Sequence, residues 1–165
     1  MHGPEIIIQV ASRVEAAEIL SSPTQCAEVA YLLSIGHGED PLPSGYDNVP
    51  RKLRLLIADV ITEEGASEAD VWKIIELADR VRQLSGKVLV HCEAGVSRSS
   101  AAALIMHAYW LGPGQEPEAM RRVLAQRPIA IPNRRMVQIA DKILGRCGQL
   151  LEVVPDWPDQ LVNTR

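Results

Sequence analysis

Between Val88 and Ala101 the chain reads VLVHCEAGVSRSSA. Cys92 carries a sulfur that becomes a strong nucleophile once ionised. Arg98, six positions on, carries a planar fork of donors that can hold two oxygens of a tetrahedral dianion. Gly95 lies between them and allows the tight, concave turn that aims successive backbone N–H groups at one point. An apolar run precedes this stretch and a helix-forming run follows it. A loop from the C-terminal end of a strand to a helix N-terminus gathers unpaired N–H donors, and the helix dipole adds positive potential. That field draws an anion and favours thiolate over thiol at Cys92. The chemistry implied is phosphate binding by a loop that also holds an activated sulfur against the bound group. No Gly-Lys-Ser/Thr follows, so it is not a nucleotide-binding P-loop.

Such a loop needs elements to hold it, and the sequence supplies an alternation of strands and helices. Glu5 to Val10 reads as a strand, Arg13 to Leu20 as a short helix and Ala27 to Ser34 as a second strand. Gly36 to Pro50, GHGEDPLPSGYDNVP, is rich in Gly and Pro and reads as a surface loop. Lys52 to Ala58 is a third strand. Ser67 is an N-cap with Asp70 three residues on, and the apolar residues from Val71 to Leu84 recur at helical spacing. Lys87 to His91 is a short buried strand. Ser99 to Leu111 is an Ala-rich helix, apolar nearly all round and so expected at the centre. Pro117 to Gln126 and Arg134 to Leu150 are two further helices, and the tail from about 153 is irregular. The pattern predicts an α/β fold over 1–165 as one domain, with a small, mostly parallel sheet of about four to five strands flanked by helices.

Composition sets outer bounds. The chain has 165 residues, 47% hydrophobic and 23% charged, with a formal net charge of −4. That balance argues against a nucleic-acid partner. Phe is absent, so the core must come from Leu, Ile, Val and Ala. The first residues, MHGPEIIIQV, lack a secretory pattern, and no apolar run approaches the roughly 20 residues of a membrane span. Cys26, Cys92 and Cys147 are too widely spaced for a disulfide framework or zinc site. A reduced, cytoplasmic protein without metal or cofactor is expected.

The stretch HCEAGVSRSS resembles the signature of the cysteine-based protein tyrosine phosphatases, H-C-x-x-G-x-x-R-S/T, and most closely its dual-specificity form, H-C-x-x-G-x-S-R-S. A looser resemblance runs from Leu53 to Leu111. It implies that Cys92 is the nucleophile forming a phosphocysteine and Arg98 the phosphate-binding, transition-state arginine. Ser99 would hydrogen-bond the sulfur and help it leave, and His91 would brace the loop. The backbone amides of Glu93, Ala94, Gly95, Val96, Ser97 and Arg98 would line the pocket. The family's general acid is an aspartate about thirty residues before the cysteine. Asp59, in LLIADVITEE, stands 33 residues upstream just after a strand. Glu63 and Glu64 rank below it, and Asp70 belongs to the helix from Ser67. Asn133 caps the last helix on this reading, while the family often places a loop-supporting asparagine nearby. Cys26, Cys147 and His37 read as ordinary residues.

The resemblance implies a phosphorylated protein or a small phosphomonoester as substrate. Glu93 inside the loop would disfavour polyanionic lipid head groups. The basic residues between Gln115 and Gly148 read as solvated helix charge. Two other classes share parts of this pattern: a non-catalytic phosphate-binding pseudophosphatase, and a rhodanese-like or arsenate-reductase-like thiol enzyme. The arginine at the sixth position and the serine after it favour phosphate over sulfur transfer. A reductase would need resolving cysteines close by, and none adjoins the loop.

Overall fold

Every strand in the sheet runs in the same direction, so the loops leaving their C-terminal ends collect along one edge. A computed structural model describes residues 6–156; Glu5 of the expected first strand and the tail beyond Asp156 lie outside them. The elements in order are β1 (Ile7–Ala11), α1 (Arg13–Ser21), α2 (Pro23–Ala27), β2 (Val29–Gly36), β3 (Lys52–Leu56), α3 (Glu68–Val81), β4 (Lys87–His91), α4 (Arg98–Leu111), α5 (Glu116–Gln126), α6 (Arg134–Ile143) and α7 (Gln149–Glu152). The sheet has four strands in the order β1-β4-β2-β3, all parallel. The expected α/β sheet flanked by helices is present, at the lower end of the strand count anticipated.

Alternation along the two central strands fills both faces. Val88 and Val90 of β4, with Tyr31, Leu33 and Ile35 of β2, join a large core completed by α3 to α7. Leu89 and Leu32 point the other way, into a smaller core with Ala16, Ile19 and Leu20 of α1. The same alternation puts His91 and Ser34, paired in register across β4 and β2, on the second face. Helix α4 is buried from Arg98 through Ala108 and touches α3, α5 and α6 as well as the sheet. Its central position explains its lack of a polar stripe.

Ala27, read as the start of the second strand, instead ends a helix, and the last expected helix is broken in two. The segment before β2 forms the short α2, begun by Ser22 as N-cap, accepting from Gln25 N, and Pro23 in the first turn. The helix expected over Arg134 to Leu150 ends at Ile143, and the chain turns before α7. Gly145, Cys147 and Gly148 all have positive φ there, a conformation that breaks a right-handed helix. The buried carboxylate of Asp141 restarts it, accepting from Gly148 N and Leu150 N, both at 2.8 Å.

Candidate active site

The loop from Cys92 to Ser97 sits where β4 ends and α4 begins, and its backbone is organised by what its carbonyl groups accept. Cys92 O faces His91 Nδ1 at 3.0 Å. Glu93 O accepts from Arg13 N at 3.1 Å. Ala94 O and Gly95 O accept from Arg127 Nη2 and Nε, at 3.2 and 3.0 Å. Val96 O accepts from Ile131 N at 2.9 Å, and Ser97 O from Asn133 N at 3.0 Å. No peptide bond in the described residues is cis, and in a trans peptide the C=O of one residue points opposite to the N–H of the next. With every carbonyl drawn outward, the N–H groups from Glu93 to Arg98 face the inner side. None of them donates to a protein acceptor within the described residues. Gly95 makes the turn possible at φ +70°, and a Cβ there would lie 2.7 Å from Ala11 C and Ser12 N.

Cys92 is buried, and its Sγ lies 3.0 Å from Ser99 Oγ. Arg98 is 6% exposed. Its Nη1 donates to Ile57 O at 2.8 Å, and its Nε is buried with no partner among the described residues. A buried guanidinium donor left open costs free energy unless a ligand fills it. Asp59 is brought to the same place from the loop after β3. Its Oδ1 accepts from Ser97 Oγ at 2.7 Å and from Asn133 Nδ2 at 3.1 Å. Asn133 Oδ1 caps α6 by accepting from Met136 N at 3.1 Å, while its amide donates to Asp59 Oδ1 and to Val60 O on the loop after β3 rather than to the loop from Cys92 to Ser97. Glu63 and Glu64 are exposed on that loop and bond to no side chain among the described residues. Asp70 forms a capping box with Ser67 at the start of α3. His37 is exposed in the β2–β3 loop. Cys26, Cys92 and Cys147 are all free thiols.

Behind the loop, His91 Nε2 lies 2.6 Å from Ser34 Oγ, which in turn accepts from Arg54 Nη1 at 2.8 Å. Cys92 O can only accept, so Nδ1 carries the proton and donates to it, and in the neutral ring Nε2 then accepts from the Ser34 hydroxyl. Burial pushes the His91 imidazole below its usual pKa, consistent with this neutral tautomer. Reading the sequence alone did not find Ser34, Arg54, Arg13, Glu15 or Arg127. The strand register could have pointed to Ser34, because polar residues on neighbouring central strands of one face pair. Nothing local marks Arg127, whose role depends on α5 ending beside the loop.

The charges here are arranged in pairs. Glu93 turns out of the pocket to Arg13, with Arg13 Nε–Oε2 at 2.9 Å and Nη2–Oε1 at 3.2 Å, so its repulsion of anions is offset by a neighbouring cation. Glu15 holds Arg127 through two bonds of 2.8 Å, and that guanidinium lowers the Glu15 pKa to about 2. The basic residues after Gln115 do not form one face. Arg127 serves the loop, Arg121 and Arg122 pair with Glu118, Arg135 donates to Ala66 O, and Arg146 is buried against Glu116 and Ala108 O. No cluster of His, Cys, Asp or Glu among the described residues is placed to hold a metal.

No family model matches the sequence. Dual specificity protein phosphatase 5 of Rattus norvegicus is 38% identical over 108 residues, 59% of this chain and 25% of that protein. The Homo sapiens form is 36% identical over 109 residues, with 60% and 25% covered. The chain therefore spans about a quarter of the length of these relatives. Among solved structures, human DUSP28 aligns with a TM-score of 0.65 at 22% identity, over 84% of this chain and 88% of that one. DUSP15 aligns with a TM-score of 0.63 at 24% identity, covering 96% and 92%. These structures share the fold.

Proposed function

We propose that this chain, a dual-specificity-like member of the cysteine-based phosphatase superfamily, hydrolyses phosphomonoesters through a phosphocysteine intermediate. The observation that carries the reading is that, among the described residues, the N–H groups from Glu93 to Arg98 have no acceptor and the buried Arg98 Nε has no partner, in the loop that begins with the buried Cys92. This row of N–H groups supplies donors for the non-bridging oxygens, and Arg98 adds the positive charge that a developing phosphoryl transition state needs. The Cys92 thiolate attacks phosphorus; an S–P bond forms as the bond to the leaving oxygen breaks, and that oxygen takes its proton from Asp59. Water then attacks phosphorus. Asp59, now a carboxylate, takes the water's proton, the S–P bond breaks, and the Ser99 hydroxyl donates to the departing thiolate. The products are the free alcohol or phenol and inorganic phosphate. His91 and Asn133 hold the loop and the acid without touching the ester.

The substrates on this reading are phosphorylated proteins or small phosphomonoesters, with no metal or cofactor required. The free thiols fit the reducing cytoplasm. The deciding experiment is hydrolysis of para-nitrophenyl phosphate, a phosphopeptide panel and phosphoinositides in excess chelator. Turnover of esters that persists with chelator and vanishes in Cys92→Ser supports the mechanism. Loss of activity with chelator alone points instead to a metal enzyme. Tight binding of phosphopeptides without turnover points to a non-catalytic phosphate-binding module.

A further inference from the structure

The carbonyl groups of the phosphate loop find partners in several segments of the chain, and one of these is a side chain carried by α5. Arg127 is the C-cap residue of that helix. Its guanidinium donates to Gly95 O at 3.0 Å and Ala94 O at 3.2 Å on one side. On the other it donates to both carboxylate oxygens of Glu15, each at 2.8 Å. Glu15 is itself fixed, because its Oε1 accepts from Ser12 N at 3.1 Å in the capping box of α1. The fork thus ties three segments together: the first turn of α1, the loop and the end of α5. The missing Cβ at Gly95 is what lets them close up, since it would meet Arg127 Nη2 at 2.7 Å.

Peptide planarity converts this tie into a statement about the binding surface. Drawing Ala94 O and Gly95 O toward Arg127 turns the N–H groups of Gly95 and Val96 the opposite way, into the row that would face the ester. We propose that Arg127, held in place by Glu15, is a positioning residue that aims the Gly95 and Val96 amides at the phosphoryl oxygens. The proposal rests on the phosphatase reading of the site and deepens it. Arg127 touches no substrate, so its whole effect passes through the direction of those two donors. A fork is needed because one group must bond two carbonyls and a carboxylate at once; lysine offers a single nitrogen.

The test compares Arg127→Ala, Arg127→Lys and Glu15→Gln with the unaltered chain and with Glu118→Gln, which breaks an exposed ion pair on the same helix. Affinity for inorganic phosphate is measured by calorimetry and para-nitrophenyl phosphate turnover by steady-state kinetics. Both are run at a temperature where circular dichroism shows each variant folded. Arg127→Ala is expected to weaken phosphate binding and lower kcat by about tenfold or more, the scale of one lost charge-assisted hydrogen bond. Lysine should restore only part of this, guanidinium added to Arg127→Ala should raise its rate, and Glu118→Gln should match the unaltered chain. Glu15→Gln, whose side chain is 46% exposed and which keeps the shape, should fall between. Unchanged phosphate affinity and kcat in folded Arg127→Ala or in Glu15→Gln, with the unaltered chain active, would overturn the positioning role alone. An unaltered chain that neither binds nor hydrolyses would overturn the phosphatase reading, and this proposal with it.

Discussion

The Ser97 hydroxyl donates a 2.7 Å hydrogen bond to Asp59 Oδ1, joining the loop after β4 to the loop after β3 through side chains from both. Asn133 adds a bond to the same oxygen from the loop before α6. Asp59 Oδ2 makes no hydrogen bond among the described residues.

If Asp59 supplies a proton, its loss matters most when the leaving oxygen is a poor one. Asp59→Asn is expected to slow phosphopeptide hydrolysis by about 10²–10⁴ and to slow nitro-substituted aryl esters much less. Rates for a series of esters of graded leaving-group acidity measure this. Equal slowing across the series would assign Asp59 a purely structural role and move the search to Glu63 and Glu64.

Cys92→Ser keeps the shape of the buried side chain and the contact to Ser99 while removing the sulfur. Turnover should fall to background while phosphopeptide binding, read by calorimetry, stays within about an order of magnitude of the unaltered chain. Measurable turnover above contaminating activity would sink the phosphocysteine mechanism.

Arg98→Lys preserves the charge but loses the fork that reaches Ile57 O through Nη1 and holds a buried Nε with no partner among the described residues. The expected loss is about 10²–10³ in kcat/KM, with weaker inhibition by vanadate. Near-normal rates would make Arg98 a general source of positive potential.

Gly95→Ala places a methyl group against the Ala11–Ser12 backbone at a residue with φ +70°. The left-handed conformation alone costs roughly 1–2 kcal/mol, and the clash adds to it. A lower Tm together with weakened phosphate affinity is expected; an unaltered Tm would mean that the β1–α1 turn yields without cost.

The pH dependence of stability should carry a signature from outside the site. His107 is 7% exposed, its Nδ1 has no partner among the described residues, and burial, reinforced by Arg122, lowers its pKa to about 4. The unfolded chain takes up this proton near pH 6.5 and the folded chain only near 4. Stability contributed by the neutral ring is therefore present above about 6.5 and lost as pH falls through that window, to the extent of about 3 kcal/mol. Chemical denaturation from pH 7 to 4 should show this slope, and His107→Gln should flatten it. An unaltered slope in the variant would place the effect elsewhere.

The local pattern of residues was enough to read the alternation of strand and helix, the burial of α4 and the grouping of Cys92, Gly95, Arg98 and Ser99 at one strand–loop–helix junction. Each of these depends on neighbours in the chain: periodicity, a glycine where the turn is tight, an apolar run with no polar stripe. The same logic missed the break after Ile143, although Gly145 and Gly148 were visible, because apolar spacing continues across it. What the chain order could not express is which distant groups hold the loop. Arg127 reaches Ala94 and Gly95 only because α5 packs beside β1 and ends there. Ser34 and Arg54 meet His91 only through the β4–β2–β3 register, and Asn133 meets Asp59 because the connection from α5 to α6 packs against the loop that leaves β3. Those partners are set by packing between segments tens of residues apart, and only the tertiary structure brings them within hydrogen-bond distance.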